Sequence, residues 1–417
     1  MKRNQKRKLS LSLWIFIGMF AGILAGLLFL GNPEFTTKYI KPFGTIYINL
    51  LKFLVVPVVL FSIADGVISL KDIKRVGSIG WKTFVYYMIT TALAVVIGLI
   101  FANLFKGAFP LLETAGAEYE AKSANIMDVI VNIFPSNALS PMVNADMLPV
   151  IVISIFLGAG ILTAGEKGQK IGELINAMNE VVMKIMMMII KLTPIGVFCL
   201  MCNVVAVNGS AIVGSLAIVI GVAYAAYIVH IVLVYGSSVK FLSNMSPIEF
   251  FKGLAPAMIC AFTTTSSNAT LPLNIECCNK MGADPDISSF VLPLGATINM
   301  DGTAIYMGVT SVFIASCYGV DLTLAQMGTI VLTATLASVG TAGVSGAGMI
   351  MLAMVLESVN LPVAGIALIA GVDKIFDMGR TTLNITGDAT CATFITRLEA
   401  KKSLKQRAAQ ESAVTSK

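Results

Sequence analysis

Apolar residues in this chain gather into long runs, not alternating or single-face stripes. Residues 11–30, 50–70, 84–105, 148–162, 185–207 and 212–235 are each predominantly apolar. Most are about 20 residues long, the length of helix that crosses a hydrocarbon core. The pattern predicts an all-α, polytopic membrane protein. The second half of the chain is different, because polar residues and glycines interrupt its apolar stretches at positions that lie within the membrane. One interruption is Thr263-Thr264-Thr265-Ser266-Ser267-Asn268-Ala269-Thr270-Leu271-Pro272, and the other runs from Ala337 to Gly348 with Gly340, Gly343 and Gly346 inside it. A spanning helix does not expose such runs to lipid, where each unpaired backbone group costs several kcal/mol. Irregular backbone survives at that depth only inside protein or against a wet cavity. The flanking apolar segments are too short to span alone, so each interruption reads as the tip of a re-entrant helical hairpin.

After each hairpin comes a helix with Asn and Asp in an apolar setting. The first carries Gly295-Ala296-Thr297-Ile298-Asn299-Met300-Asp301-Gly302-Thr303, and the second carries Asp377-Met378-Gly379-Arg380-Thr381-Thr382-Leu383-Asn384-Ile385-Thr386-Gly387-Asp388. Interrupted segments in corresponding places of two halves mark the midplane binding site of a secondary transporter.

Composition agrees with the pattern. Of 417 residues, 56% are hydrophobic and 12% charged, whereas roughly a quarter are charged in soluble domains. The net charge of +6 is distributed as a membrane topology signal, not as a nucleic-acid patch. Lys2, Arg3, Lys6, Arg7 and Lys8 precede the first run, Lys401, Lys402, Lys405 and Arg407 follow the last, and further basic residues lie at 71–75 and at Lys240. The positive-inside rule places these segments and both termini in the cytoplasm. The loop at 106–123, with Glu113, Glu118 and Glu120, then lies outside. The first run is too long for a signal peptide and lacks a small-residue cleavage site, so it reads as a retained helix. Seven cysteines sit mostly in apolar stretches, and Cys199-x-x-Cys202 has no partner pair; they read as small buried hydrophobes.

The chemistry sits in the two polar helices. Asn299 and Asp301 are two apart, about 200° around a regular helix, but an unwound turn would bring both side chains and freed carbonyls to one point, an oxygen set for a hard cation. The plainer alternative is a polar patch satisfied by neighbouring helices, against which stands the ~2.5–3.5 kcal/mol cost of an unpartnered mid-membrane carboxylate. On the last helix Asp377, Thr381, Asn384 and Asp388 are spaced i, i+4, i+7 and i+11, one continuous face with Arg380 beside it. That face offers a carboxylate for an ammonium group, a guanidinium for a carboxylate and oxygens for a cation. An internal Asp–Arg salt bridge is the alternative.

Asn-Met-Asp-Gly-Thr at 299–303 together with Asp-x-x-Arg-Thr-x-x-Asn-x-x-x-Asp at 377–388 resembles the dicarboxylate/amino acid:cation symporter family, which includes prokaryotic aspartate transporters and the excitatory amino acid transporters. The resemblance covers nearly the whole chain and is strongest at 261–395. It implies eight transmembrane helices, two re-entrant hairpins with inverted repeats, a homotrimer and an elevator-like transport part (about 78–106 and 210–400, with hairpins at about 248–280 and 325–360). This part moves against a scaffold (about 10–70 and 127–208), with a cytoplasmic tail at 401–417. The implied substrate, an acidic amino acid, would be held by Ser267, Thr303, Val344, Gly348, Asp377, Arg380, Thr381 and Asn384, with Asp377 on its amino group and Arg380 on its side-chain carboxylate. One implied sodium site uses Gly295, Asn299, Asn384 and Asp388. A second uses Thr297, Ser338, Val339 and Thr341, chiefly through backbone carbonyls, and a third uses Tyr87, Thr90 and Thr91 with Asn299 and Asp301. No cofactor is implied beyond co-transported sodium. Family members often carry a second arginine at the position of Thr265 or of Met378; this chain has neither, so Asp377 is expected to lack a second basic neighbour.

Other features read plainly. His230, the single histidine, lies on an apolar stretch outside the expected constellation. The glycines at 343–348 lack the lysine and the strand–turn–helix context of a phosphate loop. The methionines at 183–188 read as packing or lipid-facing residues. An ion channel gives no reason for one Arg beside two Asp, and no nucleophile–base pair or metal cluster supports an enzyme. Within carriers, a neutral amino acid, a non-amino dicarboxylate, and coupling to protons instead of sodium remain as rivals.

Overall fold

The apolar runs fold as helices in a computed structural model that describes residues 11–69, 78–111, 131, 134–209, 211–338 and 346–415. Among the described residues there is no strand. The basic stretches before residue 11 and at 71–75, Glu113, Glu118 and Glu120, and Val339, Thr341, Gly343 and Val344 lie outside them.

The first half builds α1 (Leu11–Leu28), α2 (Lys41–Ser69), α3 (Ser78–Leu104), α4 (Met147–Thr163), α5 (Gly165–Ile190) and α6 (Thr193–Asn208). Among the described residues, three helical segments are long and apolar enough to cross a membrane, Pro33–Ile68, Ile79–Leu104 and Gly214–Leu242. The run expected at 185–207 as one span is instead two helices, α5 and α6, bent by 49° at a short break. The cause is Pro194 in the first turn of α6, which lacks the N–H that would continue the α5 hydrogen-bond ladder to the Ile190 carbonyl. Large apolar side chains on the outside remain exposed, among them Phe20, Phe53, Trp81 and Phe241, as befits a surface whose solvent is lipid.

Lipid gives helices no hydrophobic reason to associate, so close backbone contact has to supply it. Gly18, Gly22 and Gly26 repeat every fourth residue on α1. A Cβ at these positions would lie 2.4, 2.7 and 2.7 Å from the carbonyl oxygens of Pro194, Phe198 and Cys202, so α1 and α6 touch backbone to backbone. The same device joins α3 to the second half, where a Cβ on Gly98 would lie 2.7 Å from the Ile305 carbonyl.

The second half begins with α7 (Ala211–His230), which widens into π turns at Ile231–Tyr235 and Ser238–Leu242. Two helix pairs follow. In the first, α8 (Pro247–Thr264) turns into α9 (Ser267–Lys280) through Thr265, which adopts φ +53°, and the two pack together. After α10 (Pro285–Ile298) and α11 (Asp301–Cys317) comes the second pair, α12 (Leu324–Ser338) and α13 (Ala347–Ser358), also packed together. Gly346 precedes α13 at φ +91°, a conformation only glycine adopts freely. The last helix, α14 (Asp373–Thr415), runs 43 residues and packs on α8, α10 and α11.

Candidate functional site

The chain breaks where the sequence asks it to. Asn299 ends α10 in extended backbone (φ −88°, ψ 97°), Met300 sits at φ −120°, ψ 43°, and α11 begins at Asp301. The break lies against α14: a Cβ on Gly302 would fall 2.3 Å from the Arg380 carbonyl, and the Gly302 N–H donates to Asn384 Oδ1 at 2.8 Å. Glycine thus lets the first turn of α11 touch α14 directly.

The unwound turn sends Asn299 and Asp301 into two separate clusters, not to the single point expected. In the first, Asn299 Nδ2 donates to Asp388 Oδ1 at 2.8 Å and to the Asn384 carbonyl at 3.0 Å. Gly295 completes it, because a Cβ there would lie 2.4 Å from Asp388 Oδ1 and 2.6 Å from the Tyr87 hydroxyl. Asn299 and Asp388 are fully enclosed, and Asn299 Oδ1 is buried without a hydrogen-bond partner. Gly295, Asn299, Asn384 and Asp388, expected together, are together. Such a set of amide, carboxylate and carbonyl oxygens suits a hard monovalent or divalent cation and offers nothing to a soft one.

In the second cluster Asp301 Oδ1 accepts from the Thr91 hydroxyl at 2.6 Å and Oδ2 accepts from the Tyr235 hydroxyl at 2.7 Å. His230 Nε2 lies 3.2 Å from the same Oδ2. Thr91, Tyr235, His230 and Asp301 are all fully buried. His230 therefore belongs to the constellation from which the sequence excluded it. The π turns after α7 fold Tyr235 back beside the histidine, their rings 4.7 Å apart edge to face. Tyr87 and Thr90, expected beside Asp301, turn elsewhere: the Tyr87 hydroxyl donates to the Val291 carbonyl at 3.1 Å and the Thr90 hydroxyl to the Tyr87 carbonyl at 3.2 Å.

The third group is the start of α14. Arg380 is 1% exposed. Its guanidinium donates to both oxygens of Asp373, at 3.1 and 3.3 Å, pairs with Asp377 Oδ1 at 3.0 Å, and lies 4.3 Å above the Tyr306 ring. The internal Asp–Arg bridge is thus present, and its main carboxylate, Asp373, was not singled out by sequence. Gly348 on α13 lies directly against the guanidinium, since a Cβ there would fall 2.1 Å from Nη1. Ser267, Thr303, Thr381 and Asn384 are buried.

Asp377 also has the second basic neighbour it was expected to lack. Lys374, one turn earlier on α14, places Nζ 3.7 Å from Asp377 Oδ2 and donates to the Thr265 hydroxyl at the α8–α9 turn. The position of the missing arginine thus meets a lysine that arrives from another helix.

The second expected sodium set is only partly described. Thr297 is exposed and its hydroxyl returns to the Leu294 carbonyl at 2.9 Å; Ser338 is buried and its hydroxyl returns to the Thr335 carbonyl at 2.7 Å. Val339 and Thr341, with the substrate candidate Val344, lie outside the described residues. Among the described residues no three His, Cys, Asp or Glu side chains converge as a metal centre.

Residues 11–398 match the model of the sodium:dicarboxylate symporter family. The chain belongs to that family. Among relatives, a proton/sodium-glutamate symport protein of Geobacillus stearothermophilus is 34% identical over 403 residues, covering 94% of this chain and 95% of the relative. A proton/glutamate-aspartate symporter of Escherichia coli (strain K12) is 32% identical, with 98% of each chain covered. A C4-dicarboxylate transport protein of Rhizobium johnstonii is 31% identical, covering 95% of this chain and 91% of the relative. As a sodium:dicarboxylate symporter family member the chain is a multi-pass membrane protein and a cation-coupled symporter, not an enzyme.

Proposed function

We propose that this family member imports an acidic amino acid, aspartate or glutamate, coupled to sodium entry. The observation that carries the reading is the pairing of Asp377 and Arg380 at 3.0 Å on one buried face of α14, under Gly348 of α13. A carboxylate and a guanidinium side by side match an α-ammonium and a side-chain carboxylate, and the guanidinium gives the latter a planar two-point partner. Ser267, Thr303, Val344, Thr381 and Asn384 complete the substrate set. Asn299, Asn384, Asp388 and the Gly295 carbonyl form one sodium site. Asp301 with Thr91 forms another, which we extend to Tyr235 and His230, and Thr297, Ser338, Val339 and Thr341 form the third. Relatives named for glutamate and aspartate symport support this substrate class.

The same reading takes the two helix pairs as re-entrant hairpins and the chain as a homotrimer in the inner membrane with both termini cytoplasmic. It also takes α1, α2, α4, α5 and α6 as a scaffold and α3 with α7 to α14 as a transport part that slides as an elevator, a division supported by the packing of α1 on α6, of α2 on α4 and α5, and of α3 on α11. A second reading, a C4-dicarboxylate without an amine, draws support from Lys374 beside Asp377 and from the relative named for that cargo. Equilibrium binding to purified protein separates the two. Aspartate or glutamate should bind in sodium and not without it, and succinate should bind far more weakly; succinate preferred over both amino acids overturns the reading.

A further inference from the structure

One buried charge has no part in the roles above. Lys374 is 9% exposed, and it stands in a quartet of two carboxylates, Asp373 and Asp377, and two cations, itself and Arg380. The two cations are held differently. Arg380 is shared between the two carboxylates, with two bonds to Asp373, a contact to Asp377 Oδ1 at 3.0 Å and the face of Tyr306 beneath it. Lys374 is a compact ammonium on a flexible four-carbon stem, donating to Thr265 and lying 3.7 Å from Asp377 Oδ2. It is also the same chemical group as the α-ammonium of an amino acid. A substrate amine taking Asp377 must therefore push Lys374 aside. When that amine departs, Arg380 alone faces two carboxylates, Asp373 and Asp377, and a second cation at Asp377 Oδ2 balances the group before it crosses the membrane, where net charge is costly.

We propose that Lys374 is an internal counter-ion that takes Asp377 whenever no substrate amine does, so that the substrate-free carrier returns without an external cation at that carboxylate. The inference rests on the acidic amino acid reading. It assigns Lys374 a positioning role: it competes with substrate for Asp377 and speeds the return step, leaving the loaded step alone.

Purified wild-type protein in proteoliposomes gives two rates with labelled aspartate: exchange against internal aspartate, which needs only loaded movement, and net uptake, which also needs the substrate-free return. In Lys374→Met, exchange should stay within about twofold while net uptake falls about tenfold or more, and aspartate should bind several-fold more tightly. Lys374→Arg should recover part of the net rate. Thr265→Val keeps the charge but frees its tether, and should lower the ratio of net uptake to exchange by about threefold; it serves if Lys374→Met does not fold. An unchanged ratio in these variants, or equal loss of exchange and net uptake in well-folded Lys374→Met, overturns the counter-ion role alone. Wild-type protein that takes succinate but neither acidic amino acid overturns the substrate reading, and the counter-ion role falls with it.

Discussion

The α1–α6 contact and the polar site around α14 both depend on glycine, for opposite reasons. On α1, Gly18, Gly22 and Gly26 make room for α6, and what they meet there is backbone and the apolar side chains of Met201 and Val205. Around α14, the space left at Gly295 of α10 and at Gly348 of α13 is taken by Asp388, Tyr87 and Arg380. The first contact is a matter of shape. In the second, every buried charge has a partner within about 3 Å, as a low-dielectric interior requires: Asp301 has Thr91 and Tyr235, Asp388 has Asn299, and Arg380 has Asp373 and Asp377. A membrane transporter thus separates what holds it together from what it binds with. Substitutions in the two regions should consequently fail in different assays.

The largest effect is expected at Arg380. A site built around a polar contact rejects a ligand lacking it by ~10⁴ or more, so Arg380→Thr should abolish aspartate and glutamate binding by isothermal calorimetry. Asp377 then loses its guanidinium partner but keeps Lys374, and small neutral amino acids such as serine become candidates for sodium-dependent binding. Retained aspartate affinity would break the contrast at its strongest point.

Next comes Asp388→Asn, which keeps the shape of the first cluster and removes its charge. Apparent sodium affinity, read from the sodium dependence of aspartate binding, should fall about tenfold or more, and aspartate affinity should follow through a coupling of about 5–150-fold. Gly22→Leu tests the other region. Its side chain would collide with Phe198, at a cost of about 1–3 kcal/mol, so the thermal midpoint and the yield should drop. The folded fraction should bind sodium and aspartate within about twofold of wild type, since α1 contributes no ligand. The smallest effect belongs to Thr297→Val, whose hydroxyl serves the Leu294 carbonyl; sodium affinity should move by less than about threefold.

Much of this was legible in the sequence because lipid is an exacting solvent. Spans must be continuously apolar, which revealed α1 to α4 and α7, and a carboxylate within such a stretch announces a site. The face of α14 followed from its i, i+4, i+7, i+11 spacing, and the break at Asn299-Met300 from the glycine beside it. Asp373 carried a signal that went unread, since it lies four residues before Asp377 and seven before Arg380, on the same face. Lys374 is one helical turn before Asp377, but its contact depends on where the α8–α9 turn places Thr265. His230 and Tyr235 had no spacing signal at all, because they reach Asp301 from 71 and 66 residues away across π turns that hydropathy does not register. The bend at 191–192 had a signal in Pro194 that went unread, because the apolar run continues across it unchanged.

The central claim, that these buried carboxylates bind sodium to drive acidic amino acid uptake, is tested most directly by uptake of labelled aspartate and glutamate into proteoliposomes under separately imposed ion gradients. An inward sodium gradient at equal pH should drive saturable accumulation of at least one of the two, which Asp388→Asn weakens strongly. Full accumulation in sodium-free buffer under an acid-outside gradient would contradict the account.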